Sequence, residues 1–220
     1  MSKSSLSSLT KKYIMGITGL FLIIFLIVHC GINCLIFVGD HGVTFSHVAH
    51  FMGSNILMRT MEIGLVIGFL VHIIDGLMLH FQNKAARPQS YAMSNPSKNS
   101  TWYSRSMALL GTLILMFLIL HASHFWIPNR STQFATGKEI DLFLEMKTIF
   151  QNKWVVLIYV LSCFSLFWHL FHGFRSAFQS LGIYHLRYNK IIESLGTAYA
   201  IIISILFASM PIAMHFGWVQ

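Results

Sequence analysis

The sequence predicts an all-α integral membrane protein with five transmembrane helices in a single domain, and three observations carry that prediction. Of its 220 residues, 55% are hydrophobic and only 10% charged, with a mean hydropathy of +0.65. A soluble domain of that composition could not solvate its own surface. Five apolar segments, about 13–38, 61–81, 106–127, 155–178 and 195–216, match the length of about 20 residues that a spanning helix needs. Polar loops separate them and no repeat or low-complexity array stands out, so 1–220 reads as one membrane domain.

The opening MSKSSLSSLTKK is polar and basic and runs into the first apolar segment without an A-x-A-like cleavage site. That predicts an uncleaved first span, not a signal peptide. The stretch GDHGVTFSHVAHFMGSN after it is moderately apolar and is expected along the membrane surface. NKAARPQSYAMSNPSKNSTWYSR joins the second span to the third. PNRSTQFATGKEIDLFLEMKTIFQNK joins the third to the fourth, and within it FLEMKTIF reads as a short interfacial helix.

The net charge of +8 comes with no Lys/Arg block interleaved with aromatics, which argues against nucleic-acid binding. It points instead to membrane orientation. Lys3, Lys11, Lys12, Lys84, Arg87, Lys98, Arg105, Arg175, Arg187 and Lys190 fall on one side. Arg59, Arg130, Lys138, Lys147 and Lys153 fall on the other, diluted by Asp40, Glu139, Asp141 and Glu145. The positive excess belongs in the cytoplasm, so the N-terminus is expected there and the C-terminus outside. Cys30, Cys34 and Cys163 lie in apolar segments and there is no C-x-x-C-H, so neither a disulfide framework nor covalently attached haem is indicated.

Twelve histidines is a large number for such a chain, and the first four spans each hold at least one. An ionisable residue inside a membrane is costly and usually faces a bundle interior. His29 is 16 residues past Tyr13 and His121 is 15 past Ser106, ~24 and ~22 Å from the cytoplasmic boundary at 1.5 Å per residue. Spans 2 and 4 run the other way. His72 and His169 each precede a phenylalanine (Phe81, Phe178) by nine residues, ~14 Å from that boundary. Two histidines therefore share an outer level and two an inner one, each pair on alternate helices that can face one another across a four-helix bundle. A haem iron takes two axial ligands on opposite faces of a flat macrocycle, whereas zinc wants three or four ligands, usually mixing in Cys or carboxylate. The pattern reads as two bis-His haems b stacked across the membrane, with the first four spans as a haem-binding bundle.

Neighbouring glycines sort the competitors. His72 and His169 each have Gly four residues on, Gly76 and Gly173, on the same helical face; His80 and His172 do not. Gly19 and Gly111 lie ten residues before His29 and His121, a drop of ~15 Å to the inner level. These glycines are expected to give a haem clearance, although Gly also marks plain helix packing. His169 is preferred over His172 and His121 over His124.

In order, LIVHCGIN, SHVAHFMGSN, FLVHIIDG, LILHASHFW and WHLFHGFRSAFQSLG resemble the single-chain, five-helix, di-haem cytochrome b subunit of bacterial succinate:quinone oxidoreductases, the succinate dehydrogenases and fumarate reductases. The resemblance covers nearly the whole chain, span 5 least. It implies a multi-pass subunit of the bacterial inner membrane that anchors an FAD flavoprotein and an iron–sulfur protein on the cytoplasmic face and passes electrons to or from a quinone, menaquinone or ubiquinone. It implies His29 and His121 as ligands of the distal haem and His72 and His169 of the proximal one, as the depths suggest. The chain itself has no dinucleotide fingerprint, so FAD and Fe–S clusters are expected only on partners.

Quinone chemistry needs proton-exchanging groups, and Glu62 and His50 at the outer end are candidates. Arg105, Trp102 and Arg175 are placed for inner-haem propionates and Arg59 and Arg130 for outer ones, or equally as boundary anchors. Asp75 is a carboxylate inside the membrane whose role stays open. The competing readings are the cytochrome b anchor of a hydrogenase or formate dehydrogenase and, in another class, a transporter whose histidines carry protons or a metal ion.

Overall fold

Apolar sequence with few helix breakers becomes helix wherever backbone polar groups must be satisfied locally, as in lipid. In the computed structural model, which describes residues 7–85 and 101–219, five helices are long and apolar enough to cross a membrane: Leu9–Val38, Ile56–Ala85, Met107–Thr136, Lys153–Ser180 and Asn189–His215. No strand occurs among the described residues. Lys3, Arg87 and Lys98 of the charge count, and Pro88 and Pro96 of the second loop, lie outside them.

Side chains fix several helix starts. α1 (Ser8–Cys34) begins with Ser7 Oγ accepting from Thr10 N at 3.1 Å. The GDHG turn, with Gly39, His41 and Gly42 all at positive φ, leads into α2 (Val43–Ser54). There the Asp40 carboxylate accepts from Thr44 N at 2.8 Å, and these bonds from Thr44 hold its carboxyl below the ordinary range. α3 (Ile56–Ala85) starts five residues before the predicted 61 because Asn55 Oδ1 accepts from Leu57 N at 2.9 Å, an N-cap. After the short α4 (Trp102–Arg105) comes α5 (Met107–His121).

The third span departs from the sequence reading. PNRSTQFATG, expected as loop, continues the helix through a π turn (Ala122–Trp126) into α6 (Ile127–Thr136), ended by Gly137 at φ 72°. Pro128 does not break it because it closely follows the π turn, where the widened register already departs from the regular i→i−4 ladder. FLEMKTIF does form a short helix, α7 (Leu142–Ile149), capped by Asp141. α8 (Lys153–Ser180), capped by Asn152, and α9 (Asn189–His215) complete the chain.

α1 packs against α3 and α8, and α5 against α8 and α3, which makes a ring of four with α1 diagonal to α5 and α3 diagonal to α8. α9 lies outside the ring on α8 and α1, tied by Tyr199 Oη donating to Ile23 O at 3.0 Å. His215 Nδ1 meets Phe150 O at 2.8 Å and fixes its far end. Large apolar side chains such as Ile24, Ile63 and Leu161 project outward, as suits a lipid environment.

Candidate functional site

The ring of four places one diagonal pair of histidines at each of two levels. His29 of α1 and His121 of α5 have ring centres 5.8 Å apart with planes at 90°. His72 of α3 and His169 of α8 have centres 6.3 Å apart at 69°. The second pair lies at the level of the helix glycines. A Cβ built on Gly19 would sit 3.7 Å from His72 Cε1, and one on Gly111 3.6 Å from His169 Cε1. Since those glycines precede His29 and His121 by ten residues, the two levels are ~15 Å apart along the helices. We call His29–His121 the far pair and His72–His169 the near pair, relative to the chain's N-terminal end.

Each far ring is steadied from its own helix, one turn back. Phe25 stacks on His29 with centres 5.2 Å apart and planes 21° apart, and Phe117 lies 5.6 Å from His121 at 31°. The sequence reading did not single out these phenylalanines, although both spans carry Phe four residues before the His. Near the other pair, His72 Nδ1 lies 3.1 Å from Thr18 Oγ1, a partner that the sequence did not single out. His121 Nδ1 and His169 Nδ1 are buried with no hydrogen-bond partner among the described residues. Each is a buried polar atom whose hydrogen-bonding capacity no described protein group takes up.

The pairs fit a two-ligand metal cofactor. Imidazole bonds a metal at about 2.0–2.1 Å, so rings on opposite sides of one atom have centres roughly 6 Å apart. The separations here, 5.8 and 6.3 Å, match. Packed aromatic rings reach similar distances without a metal, so the repetition of the diagonal contact at two levels is what distinguishes the arrangement. Among the described residues no three His, Cys, Asp or Glu side chains converge as a metal site.

The other histidines go elsewhere. His124 stacks on Tyr159 at 5.8 Å and 7°, its Nδ1 2.8 Å from the phenol oxygen. His172 lies beside Tyr103, 6.0 Å between centres, and His80 is exposed against Phe81. Of the remaining glycines, Gly173 has nothing within 4 Å of an added Cβ, whereas Gly76 faces Met15 Cε at 3.4 Å. Asp75 is buried at 4% exposure with Oδ2 unpartnered among the described residues.

At the far end, Glu62 is gripped by Arg130, whose Nε donates to Oε1 at 2.9 Å while Nη2 bonds Oε2, and by the Trp126 indole N–H. The π turn makes this possible by re-aiming Trp126 and Arg130 after His121. Arg130 also meets Gln133, which donates to Glu139 at 3.1 Å. The other Glu139 oxygen lies 2.9 Å from His50 Nδ1. Glu62 and His50 thus belong to one polar chain, beside a cavity of about 470 Å³ whose wall includes His50, Gln133 and Glu139. At the near end, Arg175 pairs with Glu193 at 3.3 Å and lies over Tyr184, so its guanidinium is already engaged. Arg105 sits on α4, where Trp102 and Tyr103 pack on Trp168.

No family model, curated protein or solved structure matches the chain.

Proposed function

We propose that the chain is the di-haem cytochrome b subunit of a bacterial succinate:quinone oxidoreductase, which anchors the flavoprotein and iron–sulfur subunits and serves electron passage between them and a membrane quinone. The observation that carries this reading is the pair of diagonal histidine contacts, 5.8 and 6.3 Å between ring centres, at two levels of one four-helix ring. The motifs LIVHCGIN, FLVHIIDG, LILHASHFW and WHLFHGFRSAFQSLG support the family.

Haem b, when bound, supplies one-electron redox chemistry at each level. His29 with His121 and His72 with His169 would hold the two haems, and an iron held by two histidines favours electron transfer over oxygen chemistry. Phe25 and Phe117 hold the far rings in orientation, and the apolar helices keep water from the path. A quinol sheds two protons when oxidised, and at the far level Glu62 and the His50–Glu139 couple are the groups able to exchange them. The Lys/Arg excess supports an N-terminus in the cytoplasm of a bacterial inner membrane, where the partners would dock.

Isolation of the intact complex from membranes tests this directly. A co-purifying flavoprotein and succinate–quinone activity are expected. A nickel or molybdenum enzyme as partner would assign the chain to another oxidoreductase, and absence of any b-type absorption would remove the cytochrome reading.

A further inference from the structure

Although no repeat stands out in the sequence, the four helices of the ring carry two patterns twice. Gly19, Phe25 and His29 on α1 are spaced as Gly111, Phe117 and His121 on α5. His72, Gly76, Phe81 and Gln82 on α3 are spaced as His169, Gly173, Phe178 and Gln179 on α8. The structure repeats the correspondence in space: each α1 or α5 glycine backs the near histidine of its packed neighbour, at 3.7 and 3.6 Å. The helix pairs α1–α3 and α5–α8 are quasi-equivalent, so a difference at matching positions means the two near histidines are treated differently.

The residue before each glycine is such a difference. On α5 it is Leu110, buried and apolar, and His169 Nδ1 has no partner among the described residues. On α1 it is Thr18. Its hydroxyl donates to Ile14 O at 2.8 Å, with Met15 O at 3.2 Å, so its single proton is committed to the backbone and its lone pairs are left to accept. His72 Nδ1, 3.1 Å from that oxygen, must then carry the ring proton. The lone pair resides on Nε2, the form in which an imidazole binds a metal.

We propose that Thr18 is a positioning residue that fixes His72 as the Nδ1–H tautomer and so tunes the electron affinity of the centre held by the near pair, while Leu110 leaves His169 untuned. The proposal rests on the haem reading of that pair. A ring whose Nδ1–H is hydrogen-bonded is a stronger donor through Nε2 and favours the more positively charged metal. Its removal therefore favours the reduced state, and a hydroxyl placed at position 110 does the reverse.

The test is an equilibrium redox titration of the absorption bands in the intact complex, comparing wild type with Thr18→Val, Thr18→Ser and Leu110→Thr. Thr18→Val is expected to shift one of the two centres upward by roughly tenfold in its oxidised-to-reduced balance, ~59 mV for a one-electron couple. Thr18→Ser should restore the wild-type value, and Leu110→Thr should lower the same centre. Loss of one haem in Thr18→Val with retention in Thr18→Ser would also support the proposal. Both potentials unchanged in Thr18→Val, or Thr18→Ser behaving like Thr18→Val, would overturn it. A wild-type complex without b-type bands would instead remove the haem reading and the proposal together.

Discussion

His121 and His124 stand three residues apart on one helical run and both lie beside Tyr159, yet His124 stacks on that ring and hydrogen-bonds its oxygen while His121 faces His29. Haem content in single alanine variants checks this division. Substituting His29 or His121 should remove one haem and substituting His72 or His169 the other, whereas His124→Ala and His172→Ala should keep both. Loss of a haem in either of the last two variants would reassign an axial position. The Glu62–Arg130 pair is poorly exposed, with 23% and 13% of the side chains accessible, so removing one partner strands a charge. Arg130→Met should lower Tm more than the double variant Glu62→Gln/Arg130→Met, and additive effects would show that the pair is not coupled. The histidine pairing was legible from depth, because a rise of about 1.5 Å per residue converts sequence position into ångströms, together with the neighbouring glycines that sort His169 from His172. Thr18 and the grip on Glu62 were not, because the azimuth of one helix relative to another appears in no single span.

Among the elements, the π turn after His121 has the clearest consequence. Each helical residue turns the chain about 100°, so one residue more or fewer re-aims everything beyond it. Deleting Ser123 should retain the far pair while carrying Trp126 and Arg130 away from Glu62. The expected result is haem bands as in wild type with quinone activity lost; full activity would mean that the Glu62 contacts are dispensable. The turn before α2 offers a second check. Gly42 has φ 78°, and an added Cβ would lie 2.4 Å from the Phe143 ring. Gly42→Ala should therefore destabilise the fold by at least about 1–2 kcal/mol, the cost of the left-handed backbone alone, read as a lowered Tm. An unchanged Tm would show that the turn relaxes freely. Helix existence was legible here from apolar runs, whereas the caps at Ser7, Asn55, Asp141 and Asn152 emerged only with the structure. The extension to Thr136 was not legible either, because Pro128 reads as a breaker unless a π turn is known to precede it.

For the whole molecule, five spans and the excess of Lys and Arg on one side of them predict a definite topology. Single cysteines substituted at Lys84 and Lys138 should react with impermeant reagents from the cytoplasmic and the outer side, respectively; the opposite pattern would invert the assignment. The four-helix ring and the place of α9 outside it were legible from the histidines, which span 5 lacks until His215 near its end, whereas the seat of α9 against α8 and α1 was not. The central claim is that this ring holds two bis-His haems, one per level. The most direct measurement is the reduced-minus-oxidised spectrum of the purified complex with haem and protein quantified together. Two haems b per chain are predicted, and a complex with no b-type α band, or with one haem lost only when all four histidines are replaced, would contradict the account.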